Sequence, residues 1–126
     1  MEQGSTAAVK KVLVIDDETD LLEMLEFRLR AACFGVETAE SGEAGLAMAA
    51  DFKPDVILLD VAMPGLDGYE VCRRLRADPE TADISVVMLT ALCVPGTLEL
   101  GLAAGADAVL FKPYKGQELL EVIRCA

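Results

Sequence analysis

Polar residues able to do chemistry stand at the ends of apolar runs in this chain. Asp60 closes Val56-Ile57-Leu58-Leu59 and leads into Val61-Ala62-Met63-Pro64-Gly65, while Asp16 and Asp17 close Val12-Leu13-Val14-Ile15. Thr90 ends Val86-Val87-Met88-Leu89, and Lys112 ends Val109-Leu110-Phe111 just before Pro113. Runs of this kind read as buried parallel strands, and open α/β sheets bind ligands outside the carboxyl ends of their strands. Taken singly, each residue has a plain reading: Asp after a strand often caps a helix, a strand-ending Thr is ordinary, and Lys before Pro is usually solvated. The joint pattern is harder to account for that way. Three clustered carboxylates repel by about 4 kcal/mol per pair at ~4 Å and an effective dielectric of about 20, so a cation must hold them together. With a hydroxyl and an ammonium they suit a hard divalent cation and a phosphoryl group. Mg²⁺ prefers carboxylate, carbonyl and water oxygens. Metal and lysine would supply positive charge while a carboxylate acts as nucleophile.

Five strands are needed to place these groups, and they are predicted near 11–16, 35–39, 55–60, 84–90 and 107–111. Helical stretches between them predict a parallel sheet with helices on both faces. The first helix, about 19–32, repeats Leu21, Leu22, Leu25 and Leu29 at helical spacing and turns Glu23, Glu26 and Arg30 outward. Gly35 is expected to close it. Ser41 suits the cap of a second helix over 42–51. Asp67 and Glu70 have the spacing of a variant capping box for a third, which should stop near Asp78-Pro79. A fourth, about 96–104, holds Gly96 and Gly101, carries one charge at Glu99 and is expected to be short and mobile, with Leu98, Leu100 and Leu102 packed on several sides. The last, 116–125, turns Leu119, Leu120 and Ile123 inward, and its abrupt end suggests a chain cut from a longer protein.

A length of 126 residues suits one domain with a proper core. No apolar run approaches the roughly 18 residues of a membrane span. Residues 1–9 lack the pattern of a secretion signal and read as a disordered tail before a domain over 10–126. The four cysteines stand far apart, which argues for buried thiols in a reducing cytosol over zinc or disulfides. A net charge of −11 argues against direct nucleic-acid binding. The one basic cluster, Arg73-Arg74-Arg76, reads as a solvated helix face. With no histidine in the chain, a phosphohistidine must come from another domain or protein.

The chain resembles the receiver domain of two-component response regulators over about 9–125. The matching segments are Val12 to Glu18, Leu59 to Gly68 (LDVAMPGLDG), Leu89-Thr90-Ala91, and Gly105-Ala106-Asp107 leading to Lys112-Pro113. The resemblance implies a flavodoxin-like, doubly wound α/β fold with strand order 2-1-3-4-5. It implies that Asp60 takes a phosphoryl group from the phosphohistidine of a sensor histidine kinase or a histidine phosphotransfer protein. Asp17, Asp60 and the Ala62 backbone carbonyl would ligate Mg²⁺, with Asp16 acting mainly through water. Lys112 would pair with the phosphoryl oxygens, Thr90 would hydrogen-bond one of them, and small Ala91 would leave room for access. It also implies a cytoplasmic protein that catalyses only its own phosphorylation and dephosphorylation. An output domain or separate effector and a weak homodimer are compatible with it, and a membrane role is not expected.

Val109 departs from the pattern, because such domains usually carry Tyr or Phe three residues before the lysine, a ring that turns inward when the threonine moves. The charged pattern by which one group of transcription-factor receivers dimerises is also missing, and Asp-Pro-Glu-Thr at 78–81 and Thr-Ala-Leu at 90–92 look more like receivers joined to cyclase or kinase outputs. Three other readings compete. A phosphohydrolase of the haloacid dehalogenase type would need an acid where Ala62 stands. A flavin-binding flavodoxin would need a Ser, Thr and Gly-rich first loop, where Asp16-Asp17-Glu18 would repel phosphate. A degenerate receiver acting as an interaction module is the alternative that Val109 keeps open.

Overall fold

The computed structural model describes residues 9–92 and 94–126. The expected tail over 1–9 lies outside the described residues apart from Val9, as does Cys93. Strands β1 (Lys11–Ile15), β2 (Gly35–Ala39), β3 (Val56–Asp60), β4 (Ser85–Thr90) and β5 (Ala108–Phe111) alternate with helices α1 (Thr19–Ala31), α2 (Gly42–Phe52), α3 (Gly68–Ala77), α4 (Thr97–Ala104) and α5 (Gly116–Cys125). All neighbouring strands are parallel, in the order β2-β1-β3-β4-β5, so the winding reverses between β1 and β3. Crevices at such reversals are where doubly wound sheets hold their ligands.

Alternation along the central strands divides the core. Leu13, Ile15, Ile57, Leu59, Val86 and Met88 face one layer, with Val71, Cys72 and Leu75 of α3. Val12, Val14, Val56, Leu58, Val87 and Leu89 face the other, with Leu22, Leu25 and Leu29 of α1 and Leu119 and Ile123 of α5. Both faces are covered, so the central strands read as continuous apolar runs.

The helix ends explain themselves locally. Ser41 Oγ accepts the Ala44 N–H at 3.1 Å and Asp67 Oδ1 accepts the Glu70 N–H at 2.9 Å, each satisfying an orphan donor. The Glu70 carboxylate does not complete a capping box, because it is held instead by Arg73 and Arg74 one turn on. Gly35 does not close α1. The left-handed residue is Cys33 (φ +71), whose N–H reaches Arg30 O while the Phe34 N–H reaches Leu29 O, and Gly35 already belongs to β2. This is a Schellman ending formed without glycine.

Further expectations are corrected. Cys72 is buried, but Cys33 and Cys125 are exposed at helix ends where no layer covers them. Leu98, Leu100 and Leu102 point to solvent, and α4 buries small residues instead, Thr97, Gly101 and Ala104. Gly96 is the cap of α4 and not part of it. The basic cluster is not uniformly solvated. Arg73 and Arg74 are exposed beside Glu70, whereas Arg76 is tucked against the α3–β4 connection and Asp107.

Candidate functional site

Strand register brings the polar residues to one edge. Ile15 pairs with Leu59, so Asp16 and Asp60 follow at the same level of adjacent strands. Asp60 pairs with Leu89, which sets Thr90 one residue further along, and Thr90 pairs with Phe111, which sets Lys112 next. The Lys112 N–H donates to Thr90 O at 2.8 Å and continues the ladder past β5. Gly68 keeps the start of α3 close to this edge. A β-carbon there would lie 2.7 Å from Val61 Cα, and its N–H donates to Val61 O at 2.9 Å.

Asp16, Asp17 and Asp60 each place a carboxylate oxygen within 4.8 Å of the others. Asp16 and Asp60 are nearly buried and Asp17 is exposed. Asp16 Oδ1 accepts the Glu18 N–H at 2.9 Å, which fixes its orientation, and Asp16 Oδ2 lies 3.8 Å from Lys112 Nζ. Burial pushes the Asp60 carboxyl up to about 6, reinforced by the negative charges of Asp16 and Asp17 and opposed by Lys112 and the Ala62 N–H. Burial raises Asp16 too, against the pull of the Glu18 N–H and Lys112. Such a cluster suits a divalent cation, because its oxygens are hard donors and their mutual repulsion is relieved by positive charge.

An open pocket of about 410 Å³ lies over these groups, lined by Asp17, Glu18, Asp60, Ala62, Ala91, Leu92 and Lys112. Thr90 is not among its lining residues. The Thr90 side chain is fully buried, and its Oγ1 accepts the Leu92 N–H at 3.0 Å. Its hydroxyl must therefore turn to reach a group bound over Asp60. The sequence placed all five polar residues and Ala62 at one edge, and the structure brings them there with Thr90 turned aside. Glu18 was not singled out, although its N–H orients Asp16; its position directly after the acidic pair was the available signal.

A family model described as "Response regulator receiver domain" matches residues 12–124. The chain is 46% identical over 114 residues to Response regulator PleD of Caulobacter vibrioides, covering 90% of this chain and 25% of that protein. Among solved structures, the Vibrio cholerae chemotaxis protein CheY4 superposes with a TM-score of 0.88 at 34% identity, covering 94% of this chain and 98% of that one. The receiver domain of sensor histidine kinase PA1611 from Pseudomonas aeruginosa, described with a magnesium ion coordinated in its active site cleft, superposes with a TM-score of 0.85 at 30% identity, covering 94% and 97%. The chain spans between a quarter and a half of the curated relatives it matches. Among the described residues, no helix is long and apolar enough to cross a membrane.

Proposed function

The chain belongs to the response regulator receiver family, and from that premise we propose that Asp60 is the phosphoacceptor of a two-component signalling system. The observation that carries this reading is the convergence of Asp16, Asp17 and Asp60 within 4.8 Å, with Asp60 opening into a pocket shared with Lys112. A carboxylate oxygen of Asp60 attacks the phosphorus of a phosphohistidine on a sensor kinase or histidine phosphotransfer protein. The new P–O bond forms as the P–N bond breaks, and the electron pair leaves on the imidazole nitrogen.

Attack requires Asp60 to be ionised, and its raised pKa makes that the step its neighbours must support. Lys112 faces the pocket and offsets charge on the transferred oxygens. Thr90 gives up its bond to the Leu92 N–H and donates its hydroxyl to one phosphoryl oxygen. Ala91 leaves the approach open. Asp17, Asp60 and the Ala62 carbonyl, with Asp16 through water, would hold Mg²⁺, which when bound neutralises the carboxylates and draws charge from the phosphoryl oxygens. Turnover is confined to the protein's own phosphorylation and its reversal. The switched surface is that of α4, β5 and α5, where Val94, Leu98 and Leu102 are exposed, and it engages an output domain or effector in the cytoplasm.

Labelling by acetyl phosphate with Mg²⁺ tests the assignment. Wild type should take up one phosphoryl group and Asp60→Asn none. Full labelling of that variant, traced by mass spectrometry to another residue, would overturn it. Val109, in place of an aromatic residue, bears on how the switch is read out and keeps open the second reading of an interaction module, which an unlabelled wild type would support.

A further inference from the structure

The last carbonyls of a helix have no partner within it, and a nearby cation both bonds them and suits the negative end of the helix dipole. Helix α2 has no basic residue in its own last turn. Helix α5 has Arg124 there, but its guanidinium carbon lies over the Phe34 ring, 6.0 Å from the centroid. Both helix ends are instead met by two adjacent lysines at the start of β1. Lys10 Nζ donates to Ile123 O at 3.0 Å, Arg124 O at 3.2 Å and Ala126 O at 3.0 Å, carbonyls 113 to 116 positions further along the chain. An ammonium has three donors, and these three carbonyls match them. Lys11 Nζ donates to Phe52 O at 2.6 Å and stands 4.9 Å from the centroid of the Phe52 ring.

The backbone beneath both side chains is fixed. Lys10 O accepts the Gly35 N–H at 3.0 Å, Lys11 O accepts the Asp55 N–H at 2.8 Å, and the Lys11 N–H donates to Asp55 Oδ2 at 2.8 Å. Successive residues of an extended strand point to opposite faces of its sheet. Lys10 therefore reaches the layer of α1 and α5 with Val12, and Lys11 the layer of α2 and α3 with Leu13. We propose that Lys10 and Lys11 are a paired C-cap, positioning residues through which the start of β1 fixes the ends of α5 and α2 separately. Asp16 and Asp17 follow the other end of the same strand, so β1 carries the acidic site at one end and the two caps at the other. Helix α5 belongs to the surface assigned above to a partner, and Lys10 sets the direction of its far end. That consequence rests on the function proposed above; the caps stand on the geometry alone.

Amide hydrogen exchange without a phosphodonor, on Lys10→Met and Lys11→Met, tests the caps separately from the site chemistry. Methionine keeps most of the aliphatic stem and removes the donors and the charge. Lys10→Met should speed exchange at 122–125 by about fivefold or more, with 50–53 and the central strand 56–60 within about twofold of wild type. Lys11→Met should show the reverse, speeding 50–53 and sparing 122–125. Lys10→Arg and Lys11→Arg, which keep a cation with several donors, should return each helix end to within about twofold of wild type. Unchanged exchange at its own helix end in a Met variant would overturn that cap, as would an Arg variant no better protected than the Met one. Equal loosening of both helix ends, or of 56–60, in either Met variant would show a general loss of stability and overturn the pairing. Acetyl phosphate labelling should stay within about twofold of wild type in both Met variants, and its loss in either would overturn the separation of caps from site. No labelling in wild type would tell against the phosphoacceptor reading, while the exchange pattern still decides the caps.

Discussion

Lys112 Nζ stands 3.8 Å from Asp16 Oδ2, an ion pair too long to be a hydrogen bond, with Asp16 almost fully buried and Lys112 partly covered. That spacing leaves the ammonium uncommitted in geometry while its charge still offsets part of the carboxylate cluster. Lys112→Met should strip the buried carboxylate of this counter-charge and cost about 1–2 kcal/mol of stability at neutral pH without metal. It should also slow acetyl phosphate labelling by tenfold or more. Urea unfolding and a labelling time course read the two effects, and an unchanged labelling rate would remove Lys112 from the proposed chemistry.

Asp60 sets a pH dependence whose sign follows from its raised pKa. Between the ordinary carboxyl value of 3.8 and about 6, folded protein keeps a proton that unfolded chains have released. Stability in EDTA should therefore fall as pH rises through that window, by up to about 3 kcal/mol from this group. Asp60→Asn should lack this fall and be the more stable protein at pH 7 in EDTA. Millimolar Mg²⁺ should raise the wild-type urea midpoint at pH 7 and affect Asp60→Asn much less. Parallel pH profiles for the two proteins would contradict the strained-carboxylate account.

Much of this molecule was legible as text because the strands are buried on both faces, so their apolar runs and polar ends stand out. Register then aligned Asp16 with Asp60 and carried Thr90 and Lys112 to the same edge. What escaped depended on direction and distance. Spacing cannot show that Thr90 turns toward the Leu92 N–H, or that Arg76 leaves its exposed neighbours to reach carbonyls at 82, 84 and 105. The leucines of α4 are spread over several sides of the helix in sequence, and spacing does not show that the helix lies too close to β5 to bury more than small side chains. Gly35 looked like a helix terminator, but Cys33 takes that conformation two residues earlier.

Cys33 therefore sits in a backbone conformation that costs a residue with a β-carbon about 1–2 kcal/mol. Glycine avoids that cost and gives back part of the gain through the greater freedom of its unfolded chain. Cys33→Gly should be net stabilising by about 0.5–1 kcal/mol, whereas Cys33→Ala should keep the strain and gain nothing of that size. Thermal or urea melts distinguish them. Equal stabilities for the two variants would mean that φ at this position carries no cost.

The lifetime of the proposed acyl phosphate follows from what surrounds Asp60. Hydrolysis needs a water held in line with the phosphorus, on the side away from the Asp60 oxygen, and a positioned group to hold it. On the apolar part of the pocket wall stand Ala62, Ala91 and Leu92, none with a side chain able to hydrogen-bond water, and the half-buried Leu92 narrows the approach. Asp17 and Glu18 line the pocket too, from the end of β1, where Asp17 belongs to the carboxylate cluster. We predict slow self-dephosphorylation, with signal removal by a partner phosphatase or by return transfer to histidine. Replacing Ala62 with Asn and Leu92 with Glu should supply the missing water contacts and speed decay by tenfold or more. The measurement is loss of phosphorylated protein by mass spectrometry after the donor is removed. Fast decay in wild type, not accelerated in the double variant, would show that water reaches the phosphorus without help from these two positions.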